Sequence, residues 1–217
     1  GIQTVTIKVT GSNDAPVATD DSVTTEENTV LNGNVPVATD VDGTIAGYSL
    51  DTDVGAGNGS LTFNPDGSYS FDPGTDFDHL ADGASTTVSF TYHATDGFGA
   101  DSGIQTVTIK VTGSNDAPVA VADTLSATED TSVTYTAAQL LGNDTDVDNP
   151  NSALSIASVT SGTGGTVVLN GNGTVTFTPT LNFNGAATFS YTVTDGSATS
   201  ASATVTVNVA AVNDTPV

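Results

Sequence analysis

The sequence predicts an all-β chain built as two tandem β-sandwiches with Greek-key connections, about seven strands in each. Three observations carry this expectation. The segment GIQTVTIKVTGSNDAPVA occurs at residues 1–18 and again at 103–120, so the chain repeats with an offset of 102 residues. Short runs of alternating apolar and polar residues recur about every 8–15 residues between clusters of Gly, Asn, Asp and Pro. No long stretch follows the helical period.

The strands can be taken in order. In the first unit SLTFN (60–64), SYSFD (68–72), TVSFTYHAT (87–95) and IQTVTIKVT (104–112) alternate with period two. The second unit offers ALSIASV (153–159), GTVVL (165–169), GTVTFTP (173–179), ATFSYTV (187–193) and SATVTVNVA (202–210). NPDGS (64–68) and NGNGT (170–174) are hairpin turn signals. The units share signposts in one order: DDSVTTEEN (20–28) with ADTLSATED (122–130), TDVDG (39–43) with TDVDN (145–149), and SFTYHATDG (89–97) with FSYTVTDG (189–196). The expected domains are therefore 13–114 and 115–217, with residues 1–12 as the last strand of a truncated preceding repeat. NDTP at 213–216 echoes the NDAP of 13–16 and 115–118.

Composition narrows the function. Twenty-five acidic residues face two lysines, Lys8 and Lys110, for a net charge of −23. Nothing is available to neutralise phosphates, so nucleic acid and anionic membranes are poor partners and a cation is the natural one. Only Glu26, Glu27 and Glu129 are glutamates; the other acids are aspartates, which favour turns. Cysteine is absent, which excludes disulfides, thiol nucleophiles and cysteine zinc sites. No apolar run is long enough to span a membrane, and the chain reads as a soluble segment of something longer. No GxSxG, HExxH, P-loop or GxGxxG motif in the right setting is found, so a non-enzyme is expected.

With NDAP, DGSYSF, SFTY, TDG and a closing TVTIKVTGSNDAP, the first unit resembles a VCBS repeat. The second, with EDT, LLGNDTDVD, FTP, FNG and FSYTVTDG, resembles bacterial cadherin-like tandem repeats. The resemblance implies Ig-like or cadherin-like sandwiches, calcium (Ca2+) as the bound ion, and a place in a large secreted or cell-surface RTX-type adhesin of bacteria that serves adhesion or biofilm formation. Its partners would be neighbouring repeats of the same chain.

Strand count alone says where the acids go. Successive strands reverse, so loops after the second, fourth and sixth strands lie at the N-terminal pole of a unit and the others at its C-terminal pole. In the second unit Asn115, Asp116, Asp144, Asp146, Asp148 and Asp195 are then expected at the N-terminal pole. In the first unit Glu26 and Glu27, with Asp76, Asp78 and Asp82, are expected at the C-terminal pole. These poles adjoin with almost no linker, and so many carboxylates repel unless a hard cation lies among them; calcium, with six to eight oxygen ligands, suits mixed Asp, Glu, Asn and carbonyl donors. In the cadherin pattern the matching places are held here by Glu27, Asn115, Asp116, Asp146, Asp148 and Asp195. The glutamate-containing triplet that cadherins carry late in the first domain is missing, which leaves the loop around Asp78 to supply the remaining ligand. Asn13, Asp14, Asp40, Asp42 and Asp96 form the equivalent set toward the preceding repeat, while Glu129 and Asp214 lack their counterpart.

Other expectations are narrower. DTDVDN from Asp144 has Asn149 and Ser155 where an EF-hand needs Gly and Glu, so it is not one. DTDVGAG (51–57) reads as a flexible loop, and isolated acids such as Asp66 and Asp101 as Asx-turns. His93 belongs on a sheet face and His79 in a loop. The rival function is a calcium-dependent carbohydrate-binding module, which usually needs exposed aromatics. Residues 1–12, identical to 103–114, suggest strand exchange.

Overall fold

Alternation of aromatic or β-branched residues with small polar ones builds the first unit from seven strands: β1 (Asp21–Glu26), β2 (Leu31–Asn34), β3 (Ile45–Thr52), β4 (Ser60–Phe63), β5 (Ser68–Asp72), β6 (Ser85–Asp96) and β7 (Gln105–Thr112). The structure is a computed structural model that describes residues 1–213, and it divides into two units, Gly1–Ser114 and Asn115–Val217. Asp214 lies outside the described residues.

The first unit has a four-stranded sheet, β1-β7-β6-β3, and a three-stranded sheet, β2-β5-β4. Along β6 the period is plain: Val88, Phe90, Tyr92 and Ala94 are buried, and Ser89 and Thr91 lie between them. They pack with Tyr69, Phe71, Val107, Ile109 and Val111. Each large apolar side chain withdrawn from water contributes about 1.5–3 kcal/mol, so the core is made by the two inner faces together. Ladders are antiparallel except where β1 lies parallel to β7, from Asp21 opposite Val107 to Glu26 opposite Thr112. This departs from all-antiparallel pairing because the first and last of seven reversing strands run the same way.

The second unit repeats the plan with β8 (Asp123–Thr128), β9 (Val133–Tyr135), β10 (Ser155–Ser161), β11 (Gly165–Leu169), β12 (Val175–Pro179), β13 (Gly185–Thr194) and β14 (Ala203–Ala210). Its sheets run β10-β13-β14-β8 and β11-β12-β9, with β8 again parallel to β14. One helical turn, α1 (Ala137–Leu140), has no counterpart in the first unit. Good helix formers make it, and the Thr136 N–H donates to Gln139 Oε1 at 2.9 Å. It is too short to show a helical period in the sequence, yet it buries Leu140 completely.

Residues 1–12 form no strand. Val5, Ile7 and Val9 are 83%, 79% and 86% exposed, whereas the same residues of the repeated segment, Val107, Ile109 and Val111, are all at 0%. The sequence is equally strand-prone in both places, and only the second copy has β1 and β6 to pair with.

Candidate functional site

The N-terminal pole of the second unit is assembled from three loops. Val119 and Thr145 exchange backbone hydrogen bonds of 2.7 and 3.2 Å, which sets the Asn115–Asp116 segment beside the loop 144–149. In that loop Asp146 Oδ1 accepts the N–H groups of Asp148 (3.2 Å) and Asn149 (3.0 Å), so the aspartate organises its own turn. Asp148 Oδ2 accepts the Asp116 N–H at 3.4 Å. From the turn after β13, Asp195 Oδ1 accepts from Ser197 and Ala198, and its Oδ2 accepts from the Asn115 amide at 2.9 Å. Asn115, Asp116, Asp146, Asp148 and Asp195 are thus brought to one pole.

The first unit builds the same arrangement from its own residues. Asn13 donates to Asp96 Oδ2 at 2.6 Å, Asp14 N–H lies 3.3 Å from Asp42 Oδ1, and Asp40 Oδ1 accepts from Asp42 (3.0 Å) and Gly43 (2.7 Å). Hydrogen bonds from the Asn13 amide, and then from the backbone N–H groups of Ala100, Phe98 and Gly99, hold Asp96 below the usual carboxylate range. Asp195 is lowered by the Ala198 and Ser197 N–H groups first and by Asn115 after them. Asp148 moves the other way, raised by burial and then by the Asp146 carboxylate.

At the C-terminal pole of the first unit, Glu27 is completely buried. Its backbone N–H donates to Thr112 O, and its Oε1 accepts from Ser114 N–H at 2.7 Å and from the Ser114 hydroxyl at 3.0 Å. Gly83 N–H donates to Gly113 O, bringing the loop that carries Asp78 to the same end. Ser114, overlooked in the sequence reading, holds Glu27 in place; its signal was the GSND that closes each copy of the repeat.

Four of these carboxylates each keep a buried oxygen with no hydrogen-bond partner: Glu27 Oε2, Asp78 Oδ1, Asp40 Oδ2 and Asp146 Oδ2. Leaving such an oxygen unpaired costs about 1–3 kcal/mol or more for a charged group. A cation is the partner that fits an acceptor-only group. Among the described residues, no three His, Asp or Glu side chains by themselves form a set that would hold a metal ion. Backbone carbonyls, Asn side chains or a neighbouring repeat would have to complete the shell.

The remaining expected residues have other partners or lie exposed. Asp144 is completely buried within the second unit, where its Oδ1 accepts the Val121 N–H at 2.7 Å and lies 3.0 Å from the Tyr191 hydroxyl. Its place in the first unit is taken by Ala38, so this carboxylate serves the loop's internal frame. Asp76 is exposed and accepts the Gly59 N–H, Asp82 is exposed, and His79 is exposed. Asp66 forms the expected turn with Ser68. At the far end of the second unit, Glu129 accepts from Val212 N–H and from the Asn184 amide, which stands where the first unit has Asp78.

Asp123 gives a pH test. Burial first, and then the charge of Asp144, push its carboxyl above the ordinary 3.8. A raised carboxyl penalises the ionised folded state, so the penalty is absent well below pH 3.8 and complete above the folded-state pKa. Asp123→Asn is therefore expected to raise the melting temperature of the second unit at neutral pH, with the gain vanishing on acidification below that point. Scanning calorimetry of both forms across pH checks it.

Residues 13–113 match the family model of a bacterial cadherin-like domain, and residues 114–210 that of a cadherin-like domain. The chain belongs to the cadherin-like domains. Solved structures similar to this tandem include the human desmocollin-1 ectodomain, at 16% identity and a TM-score of 0.41, covering 92% of this chain and 42% of that one. Extracellular cadherin domains 1–5 of protocadherin gamma B2 align at 17% identity and a TM-score of 0.47, covering 93% of this chain and 41% of that one. For domains 3–6 of the same protein the values are 14% and 0.48, with 92% and 48% covered. The cadherin-like tandem spans less than half the length of each. Comparison with curated proteins finds no match. No helix among the described residues of the two cadherin-like domains is long and apolar enough to cross a membrane.

Proposed function

We propose that this cadherin-like tandem is a non-catalytic extender of a large bacterial surface adhesin, stiffened by calcium at the junctions between repeats and serving adhesion or biofilm formation. The observation that carries the reading is the set of buried carboxylate oxygens without partners at Glu27, Asp78, Asp40 and Asp146. They occur at unit poles, in a chain with two lysines to offer against 25 acids. Cadherin-like domains are generally calcium-binding adhesion modules, which supports the ion and the extracellular setting. The order of motifs that resembles VCBS repeats supports the RTX-type adhesin.

In this reading Glu27 and Asp78 contribute from the first unit, and Asn115, Asp116, Asp146, Asp148 and Asp195 from the second. Ser114 ends the first unit and Asn115 begins the second. Asn13, Asp14, Asp40, Asp42 and Asp96 make the equivalent half-site toward a preceding repeat. Bound calcium would supply positive charge shared among these oxygens. The protein's own part is to hold them in place through Ser114, through the Asp40 and Asp146 turns, and through the Asn13 and Asn115 amides.

Calcium titration calorimetry tests the proposal. Asp146→Asn is expected to weaken the tightest calcium binding at least tenfold, while Asp66→Asn, in an isolated turn, leaves it unchanged. Equal losses in both variants would mean diffuse screening of a very acidic chain and would overturn the reading. The carbohydrate-binding alternative predicts calcium-dependent signals on a glycan array; an extender gives none.

A further inference from the structure

Beside the Asn13–Asp96 set but using none of its residues, the first unit carries an imidazole between two carboxylates drawn from three separate segments. His93 lies on β6. Asp51 comes from β3, where the register passes from Leu50 opposite Tyr92 to Thr52 opposite Thr91 and leaves Asp51 out of the ladder. This bulge is the kind of irregularity that re-aims a side chain. Asp51 rests on His93, with Nδ1 to Oδ1 at 2.9 Å and to Oδ2 at 3.0 Å. Asp101 comes from the hairpin that returns after β6, held there by its bridge to Thr95 and by the Thr95 hydroxyl, which donates to Asp101 Oδ1 at 2.7 Å.

The second nitrogen is the informative one. In the tautomer that gives Nδ1–H to Asp51, Nε2 carries the lone pair, and Asp101 Oδ1 lies 3.7 Å from it. That separation is too long for a hydrogen bond. It is the separation of two ligands of one ion: zinc bonds of about 2.0–2.1 Å to each atom would meet at an angle of roughly 125–130°, a modest opening of a tetrahedron. A carboxylate on the far imidazole nitrogen is the usual support of a metal-binding histidine. The His93 and Asp101 side chains are 20% and 59% exposed, so water can fill the other positions. The second unit has Thr192 and Thr199 at the corresponding places, and a Ser158–Thr192 hydroxyl contact instead of the acid–imidazole pair.

We propose that His93 Nε2 and Asp101 Oδ1, with Asp51 orienting the imidazole, form a surface site for a borderline divalent transition metal such as zinc, sharing no residue with the calcium sites proposed above. The ion would fasten the Asp96–Asp101 hairpin onto β6. His79, the chain's other histidine, is exposed and provides an internal reference.

The test is imidazole nitrogen NMR of the full chain titrated with zinc chloride in excess calcium, which occupies oxygen-only sites. His93 Nε2 is expected to respond at zinc concentrations at least tenfold below those that move His79. Asp101→Asn, and Asp51→Asn, which keeps an acceptor for Nδ1–H, should each weaken the response about tenfold or more. Asp146→Asn should leave it unchanged. Equal responses of the two histidines, a response to pH alone, indifference to Asp101→Asn, or loss in Asp146→Asn would each overturn the proposal.

Discussion

Removal of calcium with EGTA is expected to lower the melting temperature of the tandem by about 10–20 °C and to make it more flexible in solution scattering. The size follows from mass action. An ion bound by the folded, docked arrangement alone stabilises it by about 2.7 kcal/mol at a hundredfold excess over its Kd, and each kcal/mol moves a domain of this size by about 4–8 °C. A site of roughly 10 µM in millimolar calcium meets that condition, within the range of oxygen-donor calcium sites. In this reading the ion would relieve Asp148, whose carboxyl is pushed upward by burial first and then by Asp146. Melting curves and scattering profiles unchanged by EGTA would refute calcium stiffening. Magnesium, which demands a stricter octahedron, should restore less than calcium.

The second large effect separates two glycines in identical sequence. Gly113→Ala is expected to destabilise the first unit by about 2–3 kcal/mol, lowering its melting temperature by about 8–24 °C, while Gly11→Ala changes nothing measurable. A Cβ on Gly113 would sit 2.6 Å from Leu80 Cβ, 2.7 Å from the Ala81 carbonyl and against the Leu80 carbonyl oxygen. Backbone is in the way, and it cannot retreat cheaply: Gly113 N–H donates to Ala84 O at 2.8 Å, and Gly113 O accepts from Gly83 at 3.1 Å. A Cβ on Gly11 meets nothing within 4 Å. Because the crowded loop carries Asp78 and the next residue, Ser114, holds Glu27, the Gly113 variant should also bind calcium more weakly. Calorimetry of the two alanine variants decides it, and equal melting temperatures would show that the loop gives way.

Much of this was legible without coordinates. Seven strands per unit follow from period-two alternation and turn residues, which act locally. The poles follow from counting reversals: residues 27, 40, 42, 96, 116, 146, 148 and 195 reach the ends that strand parity requires. Less legible were features made by contacts distant in sequence. The bulge that turns Asp51 toward His93 depends on β6, about 40 residues away, because register is set by the partner strand. The helical turn Ala137–Leu140 is too short for periodicity to reveal, and it accompanies the burial of Asp144 where the first unit has Ala38. Phe98, in the turn after β6, is 76% exposed.

The sequence by itself determined that this chain is a repeated, strongly acidic, all-β protein whose strand parity sends many of its acids to the ends of its units. Only the tertiary structure decided which identical residues do which work. Val5 and Val107 stand in the same twelve residues, as do Gly11 and Gly113; one of each pair is exposed and unhindered, the other enclosed. Strand tendency is a local property of side chains on a pleated backbone. Burial needs neighbours on both sides, and those come from β1, β6 and the loop 76–83, placed by the fold of the whole unit.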